Sequence, residues 1–312
     1  MNNGSPRKAR ALVSGIFVFC CVLTMVASGI AASVPSLQWK RLHEEADRRT
    51  LDENYSLPRT LPQLGSVDDY YIFGLMCLNR YNDSLAQEAF SAAAALRPGL
   101  PEVRWAQAEL LRRKHKLTEA VPILTDLIRD YPDYSPPYLT LAYIKYIQLD
   151  FGACERLALQ VIRQGPKNVD ISNYARAYVI YAGAKGVLAY YGGPFSKVIN
   201  GSQILSNLRR AERLRSQCPS VWWGYGSYYL LSPAFLGRDL DKAKEYFERT
   251  ITFEPLFADA YVRLGQVYQL RGDVKTFHAY LDKALEIDPR NELALDIKSG
   301  SCNFICVDKE KD

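Results

Sequence analysis

The chain has 312 residues, 48% of them hydrophobic and 23% charged, an ordinary balance for a folded protein. Three basic residues at positions 7, 8 and 10 supply most of its net charge of +5, and the rest is nearly neutral with acids and bases interleaved. This excludes a basic nucleic-acid-binding stripe, so we expect no nucleic-acid partner.

A basic leader and an apolar run begin the chain. Residues 11–34 are charge-free and mostly apolar, and as a helix they would span roughly 36 Å, enough to cross a bilayer. A cleaved signal peptide has the same order of parts, with Gly29-Ile30-Ala31 as the cleavage site. Residues 1–34 are therefore expected to be a signal peptide or a signal anchor. Both alternatives place the chain from Pro35 onward outside the cytoplasmic membrane, in the periplasm or an equivalent compartment.

Prolines and mixed charge at 35–66 indicate a linker, and a repeat with a period of 34 residues follows. The period separates Pro98, Pro132 and Pro166, and separates Pro255 from Pro289. Proline ends a helix, and small residues at fixed offsets let two helices approach closely (Gly74, Ala108, Ala142 and Gly265). This pattern resembles the tetratricopeptide repeat (TPR). The resemblance implies an all-α, right-handed superhelical solenoid of about six helix-turn-helix units behind the N-terminal signal or transmembrane helix.

The expected units follow in chain order. They are 67–100, 101–134, 135–168, an extended unit at 169–219, a unit at 220–255 with a lengthened turn, and 258–289; a capping helix at 290–298 and a frayed tail at 299–312 complete the chain. The fourth unit is expected to contain a helix at 171–191, a loop at 192–202 and a helix at 203–217.

The turn of the fifth unit is five residues longer than a TPR turn. Surface turns tolerate insertions at little cost, which is one explanation. The other is a resemblance of residues 190–252 to the T component of TRAP transporters, the TatT family. That resemblance depends on Tyr228, Tyr229, Leu231, Pro233, Ala234, Gly237, Asp239, Lys242, Ala243, Phe247, Glu248 and Arg249. It implies a TPR-like subunit that oligomerises, associates with a solute-binding protein and passes a hydrophobic ligand through a channel.

The first helices of a TPR array line its concave groove, and here the groove positions are mainly aromatic and aliphatic. The expected partner-binding residues are Tyr71, Leu75, Trp105, Arg112, Tyr143, Tyr146 and Trp223. Such a groove suits an apolar helix, an extended peptide or a hydrophobic small molecule. Arg112 could orient an acidic group of the partner, or belong to a solvated charged face. The aromatic residues could instead pack against a neighbouring repeat or the chain's own N-terminal linker.

Neither the cysteines nor the histidines indicate chemistry. Cys302 and Cys306 are candidates for a disulfide in an oxidising compartment, or two free thiols. Cys20 and Cys21 lie inside the apolar run, and Cys77, Cys154 and Cys218 fall singly within the repeats. No nucleotide-binding or hydrolase motif is present, and the three histidines lie far apart in the sequence. We therefore expect no enzyme activity, no cofactor and no metal. The expected function is that of a scaffold for assembling an envelope or transport complex, and the alternative is a TatT-like transport accessory.

Overall fold

The computed structural model describes residues 38–52, 55–234, 237–305 and 307, all of them within one compact unit, Val34–Asp312. These residues form helices and connections, with no strand in the described ranges. The helices are α1 (Trp39–Thr50), α2 (Val67–Asn79), α3 (Asp83–Leu96), α4 (Pro101–Arg113), α5 (Leu117–Asp130), α6 (Ser135–Ile147), α7 (Phe151–Gln164), α8 (Ile171–Tyr191), α9 (Pro194–Leu214), α10 (Pro219–Leu231), α11 (Leu240–Phe253), α12 (Ala258–Leu270), α13 (Val274–Ile287) and α14 (Glu292–Ser299).

From α2 onward the helices pair as hairpins and form two layers. The first helix of a pair is buried on most sides: α2 buries every residue from Tyr71 to Leu78. The second helix buries one stripe, as α5 does with Ala120, Leu124 and Leu127. The first helices therefore form an inner layer and the second helices an outer layer, which is the arrangement expected of a helical solenoid.

The turns inside the hairpins repeat a left-handed residue. Tyr81, His115 and Leu149 follow one another at intervals of 34 residues, and each has a positive φ near 60°. Gly272 occupies the corresponding place in the last hairpin, with φ 86°. Only glycine adopts this conformation without strain, so three of these turns retain local strain that the surrounding contacts offset.

The fourth unit differs from the expectation in its second half. Both α8 and α9 have 21 residues, whereas the other paired helices have 13 or 14. The predicted loop at 192–202 is wrong, because α9 already begins at Pro194. Proline is well suited to the first turn of a helix, and the Ser196 hydroxyl donates to the Leu188 carbonyl at 2.9 Å, which fixes this start against α8.

The lengthened turn of the fifth unit is present as expected. Residues 232–239 connect α10 to α11, against three residues in the turns at 80–82, 114–116, 148–150 and 271–273. The Arg238 guanidinium donates to the Ser232 carbonyl at 3.0 Å, and the Asp239 amide donates to the Tyr229 carbonyl at 3.0 Å. These bonds tie the turn back to the end of α10.

The predicted linker and the predicted frayed tail are both partly ordered. Residues 39–50 form α1, and the apolar side chains Phe304, Ile305 and Val307 of the tail are buried. Both segments are ordered for the same physical reason: their apolar side chains are removed from water by packing against the solenoid. Within the described ranges, no helix combines the length and apolar character needed to cross a bilayer. The apolar run at 11–34 lies outside these ranges, so its anchor or signal role stays a prediction.

The solenoid curls far enough for distant units to touch. His115, in the α4–α5 turn, hydrogen-bonds to Glu292 at 2.8 Å through Nδ1 and to Asp288 at 3.2 Å through Nε2. Arg290 donates to the Lys114 carbonyl in the same contact. The second unit and the capping helix are therefore in contact, although they lie more than 170 positions apart in the sequence.

Candidate functional site: the inner surface of the solenoid

The inner surface is the face of the first helices α2, α4, α6, α8, α10 and α12. Two parts of the same chain lie on it. Helix α1 covers the N-terminal half, and the C-terminal segment, defined as residues 300–305 and 307, covers the other half.

Helix α1 packs through one apolar stripe. Leu42 and Ala46 are fully buried, and Trp39 contacts Tyr134 edge-on, with ring centroids 5.4 Å apart. His43 lies next to the Trp105 ring at 5.2 Å. Trp39, Leu42, His43 and Ala46 are spaced i, i+3, i+4 and i+7, which puts them on one face of α1. The N-terminal half of the inner surface thus accepts an amphipathic helix.

His43 is the polar centre of this contact. The Asn173 side-chain amide donates to Nδ1 of His43 at 3.3 Å, which leaves Nε2–H to donate to the Tyr71 hydroxyl at 3.2 Å. The pKa of His43 is lowered to about 4, mainly by burial; the nearby Asp47 offsets part of this shift and Arg176 adds to it. The imidazole is therefore neutral near pH 7.

Polar contacts hold both edges of α1. Arg41 pairs with Asp68 of α2 at 2.6 Å, and Asp47 pairs with Arg215, just after α9, at 3.0 Å. Lys40 donates to the Lys167 carbonyl at 2.8 Å. These contacts link α1 to the first unit on one side and to the fourth unit on the other.

Three of the predicted groove residues lie beneath α1. Tyr71, Leu75 and Trp105 are at most 5% exposed and share the core cluster that includes Leu42 and Ala46. In the structure these residues pack against the chain's own N-terminal segment, which was one of the two alternatives for the aromatic residues. Trp105 donates from Nε1 to the Thr140 hydroxyl at 3.1 Å, so its polar atom also has a partner.

Arg112 and Tyr143 are stacked on each other. The Arg112 guanidinium lies 4.8 Å from the centre of the Tyr143 ring and donates twice to the Glu109 carboxylate, at 3.0 and 2.6 Å. Burial would raise the pKa of Glu109, but Arg112 and Arg113 hold it at about 2. Arg112 is therefore already paired in this structure, and an acidic group of a partner would have to compete with Glu109.

The C-terminal segment crosses the other half as irregular backbone, with a turn at Asn303 and Phe304 and positive φ values at Cys302 (55°) and Ile305 (49°). Arg263 of α12 donates to the carbonyls of Phe304 and Ile305, each at 2.9 Å. The Asp296 carboxylate of α14 accepts the amides of Asn303 at 3.0 Å and Phe304 at 2.9 Å. All four of these bonds involve the backbone of the segment, so the segment is held through groups that every peptide has.

Side chains of the segment add apolar contacts. Phe304 stacks on Tyr146 with ring centroids 5.8 Å apart. Val307 is 5% exposed and packs in a cluster with Leu230 and Leu264. Of the predicted groove residues, Tyr143, Tyr146 and Trp223 border a cavity of about 20 Å³ beside Phe304, which has room for about one water molecule.

Three buried donors at this end have no acceptor among the described residues. They are Nε1 of Trp223, Nε of Arg263 and Nε2 of Gln266. Trp223 and Arg263 line the same cavity, and Gln266 accepts a bond from Arg263 at 2.7 Å. An unpaired buried donor costs about 1–3 kcal/mol, so the site is suited to additional oxygen acceptors.

The cysteines and histidines form no metal-binding group among the described residues. Cys302 is disulfide-bonded, whereas Cys306 lies outside the described residues, so the Cys302–Cys306 pairing stays a prediction. In the part of the chain that the structure describes, no group of three or more His, Cys, Asp or Glu residues could hold a metal ion. His43 and His115 make the structural contacts already given, and His278 lies on the exposed side of α13.

The sequence interpretation missed the residues that cover and hold the inner surface. The helical spacing of Trp39, Leu42, His43 and Ala46 in the presumed linker was the available signal for α1. The apolar residues in the tail were the signal for the C-terminal segment. Arg263 and Asp296 had no signal, because a charged residue inside a helix gives no indication of which backbone atoms it will face.

Comparisons with known proteins agree with the repeat. Residues 258–291, which contain α12 and α13, match the tetratricopeptide repeat family. No curated protein matches the sequence.

Among solved structures, a YrrB protein described as a TPR protein with an unusual peptide-binding site is 19% identical. That match covers 68% of this chain and 98% of the other, with a TM-score of 0.35. Pseudomonas aeruginosa pilF is 14% identical over 75% of this chain and 97% of its own, with a TM-score of 0.44. A chain of the Cut9–Hcn1 hetero-tetramer of the APC/C is 16% identical. That match covers 83% of this chain and 47% of the other, with a TM-score of 0.49. These are similarities of helical architecture, and they assign no ligand.

Proposed function

We propose that this protein is a non-catalytic TPR scaffold that holds a protein partner on its inner surface, on the outer side of the cytoplasmic membrane. The partner presents an apolar helix or an extended peptide, and the scaffold helps to assemble an envelope or transport complex. The observation that carries this proposal is that the inner surface already holds one helix of its own chain and one irregular segment, the latter largely through backbone hydrogen bonds.

The C-terminal half is the part that a partner would occupy. The C-terminal segment is short and is held largely through its backbone, by Arg263 and Asp296. An extended partner can supply the same carbonyl and amide groups, and further acceptors for the unpaired donors of Trp223 and Gln266. Helix α1, in contrast, has ion pairs on both edges and a stripe in which Leu42, His43 and Ala46 are buried, so it belongs to the fold.

Transport of a hydrophobic ligand receives no comparable support. The cavity beside Phe304 has about 20 Å³, far less than the roughly 300–1,000 Å³ of small-ligand sites. A channel would require the C-terminal segment to leave, and nothing in the described residues favours a lipid-like occupant over a peptide.

Site-specific photocrosslinking in the native cells tests the binding surface. A photoreactive amino acid replaces Ile147, which borders the cavity, and in a matched control replaces Thr125 on the exposed face of α5. We expect a discrete protein adduct from position 147, increased by deletion of residues 300–312, and none from position 125. Equal adducts from both positions, or none from position 147 after the deletion, would contradict the proposal.

A separate experiment tests the location. An alkaline phosphatase fused after Asp312 is active only outside the cytoplasm, so we expect activity from the full chain and none after deletion of residues 1–34. An inactive full-length fusion would refute the location without affecting the crosslinking result.

A further inference from the structure

We propose that the end of the α8–α9 hairpin and the outer face of α9 form a docking surface for an anionic lipid membrane. The proposal goes beyond the scaffold function, since it concerns the exposed end of the α8–α9 hairpin and the outer face of α9, not the partner-binding part of the inner surface.

Large apolar side chains are concentrated at the end of this hairpin. Phe195 is 86% exposed, Val198 72% and Ile199 58%, and Tyr190 and Tyr191 at the end of α8 are 42% and 55% exposed. Single exposed apolar residues are common on proteins, whereas a contiguous group usually marks an interaction site. The two helices are also longer than their neighbours by seven or eight residues, so this end has few neighbours to cover it.

The outer face of α9 continues from this apolar end as a cationic stripe. The exposed residues recur every three or four positions, which puts them on one side of the helix: Phe195, Val198, Ile199, Ser202, Ser206, Arg209, Arg210 and Arg213. Apolar residues lie at the N-terminal end, serines in the middle and arginines at the C-terminal end. This is the distribution of an amphipathic helix that inserts one end and rests the other on lipid headgroups.

Charge supports a lipid surface as the occupant. Helix α9 carries four exposed basic residues, Lys197, Arg209, Arg210 and Arg213, and one acidic residue, Glu212. Among the described residues, no carboxylate forms an ion pair with Lys197, Arg209, Arg210 or Arg213. The nearest acid in sequence, Glu212, accepts the Tyr225 hydroxyl at 2.8 Å. These cations are thus available to anionic headgroups, each of them strengthening binding about fivefold near such a surface.

Aromatic composition supports the same occupant. Tyrosine is enriched where proteins meet the interface between headgroups and acyl chains, and a lysine near an apolar end can extend its amine to the headgroups. Tyr190 and Lys197 flank the apolar residues in this way, whereas the Tyr191 hydroxyl donates to the carbonyls of Cys302 and Asn303 at 3.2 and 3.0 Å.

Vesicle sedimentation of residues 35–312 tests the proposal. These residues contain every described helix and core side chain of the compact unit, so they keep the fold. We expect binding to phosphatidylcholine vesicles that contain about 30% phosphatidylglycerol, and weak binding to phosphatidylcholine alone, because the anionic lipid attracts the arginines. Raising the salt to about 1 M, where the Debye length falls to about 3 Å, should weaken the binding to anionic vesicles.

Two pairs of matched variants separate the apolar and the cationic contributions. Substituting serine for Phe195, Val198 and Ile199 should abolish binding, and the same change at three exposed apolar residues elsewhere should not (Leu51, Leu96 and Val274). Replacing Arg209, Arg210 and Arg213 by glutamine should weaken binding about a hundredfold. The same change of charge elsewhere should weaken it far less (Arg163, Lys167 and Lys275).

Three outcomes would overturn the proposal. One is the absence of binding to anionic vesicles by folded protein. Another is equal loss of binding in the site variants and in their controls. The third is self-association in sedimentation velocity that the Phe195, Val198 and Ile199 substitutions abolish without any lipid binding, which would identify a second copy of the chain as the occupant.

Discussion

Acidification should destabilise the folded chain through His43. Burial lowers its pKa from 6.5 to about 4, whereas the unfolded chain keeps the ordinary value. Between these values the unfolded state binds the proton and the folded state does not, so stability falls as the pH falls through this window. One pKa unit corresponds to about 1.4 kcal/mol, which gives a loss of about 2 kcal/mol at pH 5 relative to pH 7.5.

The groups around His43 explain why its protonation destabilises the fold. A charged imidazole would lose its Nδ1 acceptor role toward Asn173, at 3.3 Å, and would face the cation Arg176 in a buried site. Asp47 offsets part of this, and the value of about 4 already includes it.

Urea unfolding of residues 35–312 at pH 7.5 and pH 5 measures the effect against a His43→Gln control. The control keeps a hydrogen-bonding side chain but has no group that titrates at this position. Glu45 and Glu109, whose pKa values are about 2 in the fold, stay ionised throughout and affect both proteins equally. We expect the unaltered chain to lose about 2 kcal/mol more than the variant. Losses equal within about 0.5 kcal/mol would refute the argument about burial.

Three further predictions concern packing. Gly74→Ala should lower the unfolding free energy by about 1–3 kcal/mol in urea titrations, because the new Cβ would meet the buried Phe90 ring. The control Gly201→Ala, whose Cβ would meet nothing within 4 Å, should be neutral or stabilising. Leu149→Asn should stabilise by about 0.5 kcal/mol, since asparagine tolerates the φ of 62° better; a destabilisation would show that the strain is absent. Phe304→Ala should speed amide hydrogen exchange at the C-terminal segment and leave α2 unchanged, and unchanged exchange there would contradict its docking on Tyr146.

The repeat could be predicted from the sequence because its determinants are local. Gly74, Ala108 and Ala142 recur at 34-residue intervals, and the structure buries the alanines and places Gly74 against the Phe90 ring. Helix α8 was predicted with its observed bounds, Ile171–Tyr191, because an apolar, small-residue stretch of this length favours a helix. The start of α9 was missed because Gly192, Gly193 and Pro194 predict a loop, although proline also begins helices.

The coverage of the inner surface could not be predicted, because it depends on which distant parts of the chain meet. The groove offsets selected Tyr71 and Trp105, which the structure buries in the same cluster as Leu42 and Ala46 of α1. Whether such residues face solvent or another helix is decided by α1, whose docking depends on contacts such as the one between His43 and Asn173, 130 positions apart. Burial of the tail likewise depends on Arg263, whose bonds to the carbonyls of residues 304 and 305 have no signature in the spacing of the repeats.

These long-range contacts also change how the solenoid should unfold. In an ordinary repeat array each unit contacts only its neighbours, and stability is close to a sum of local terms. Here His115 joins the second unit to the capping helix, and the pair of Asp47 with Arg215 joins α1 to the fourth unit. A unit cannot leave without breaking contacts that lie far away in the sequence. We therefore expect residues 39–299 to unfold more cooperatively than an open array of the same length, with the C-terminal segment as the part that can detach alone.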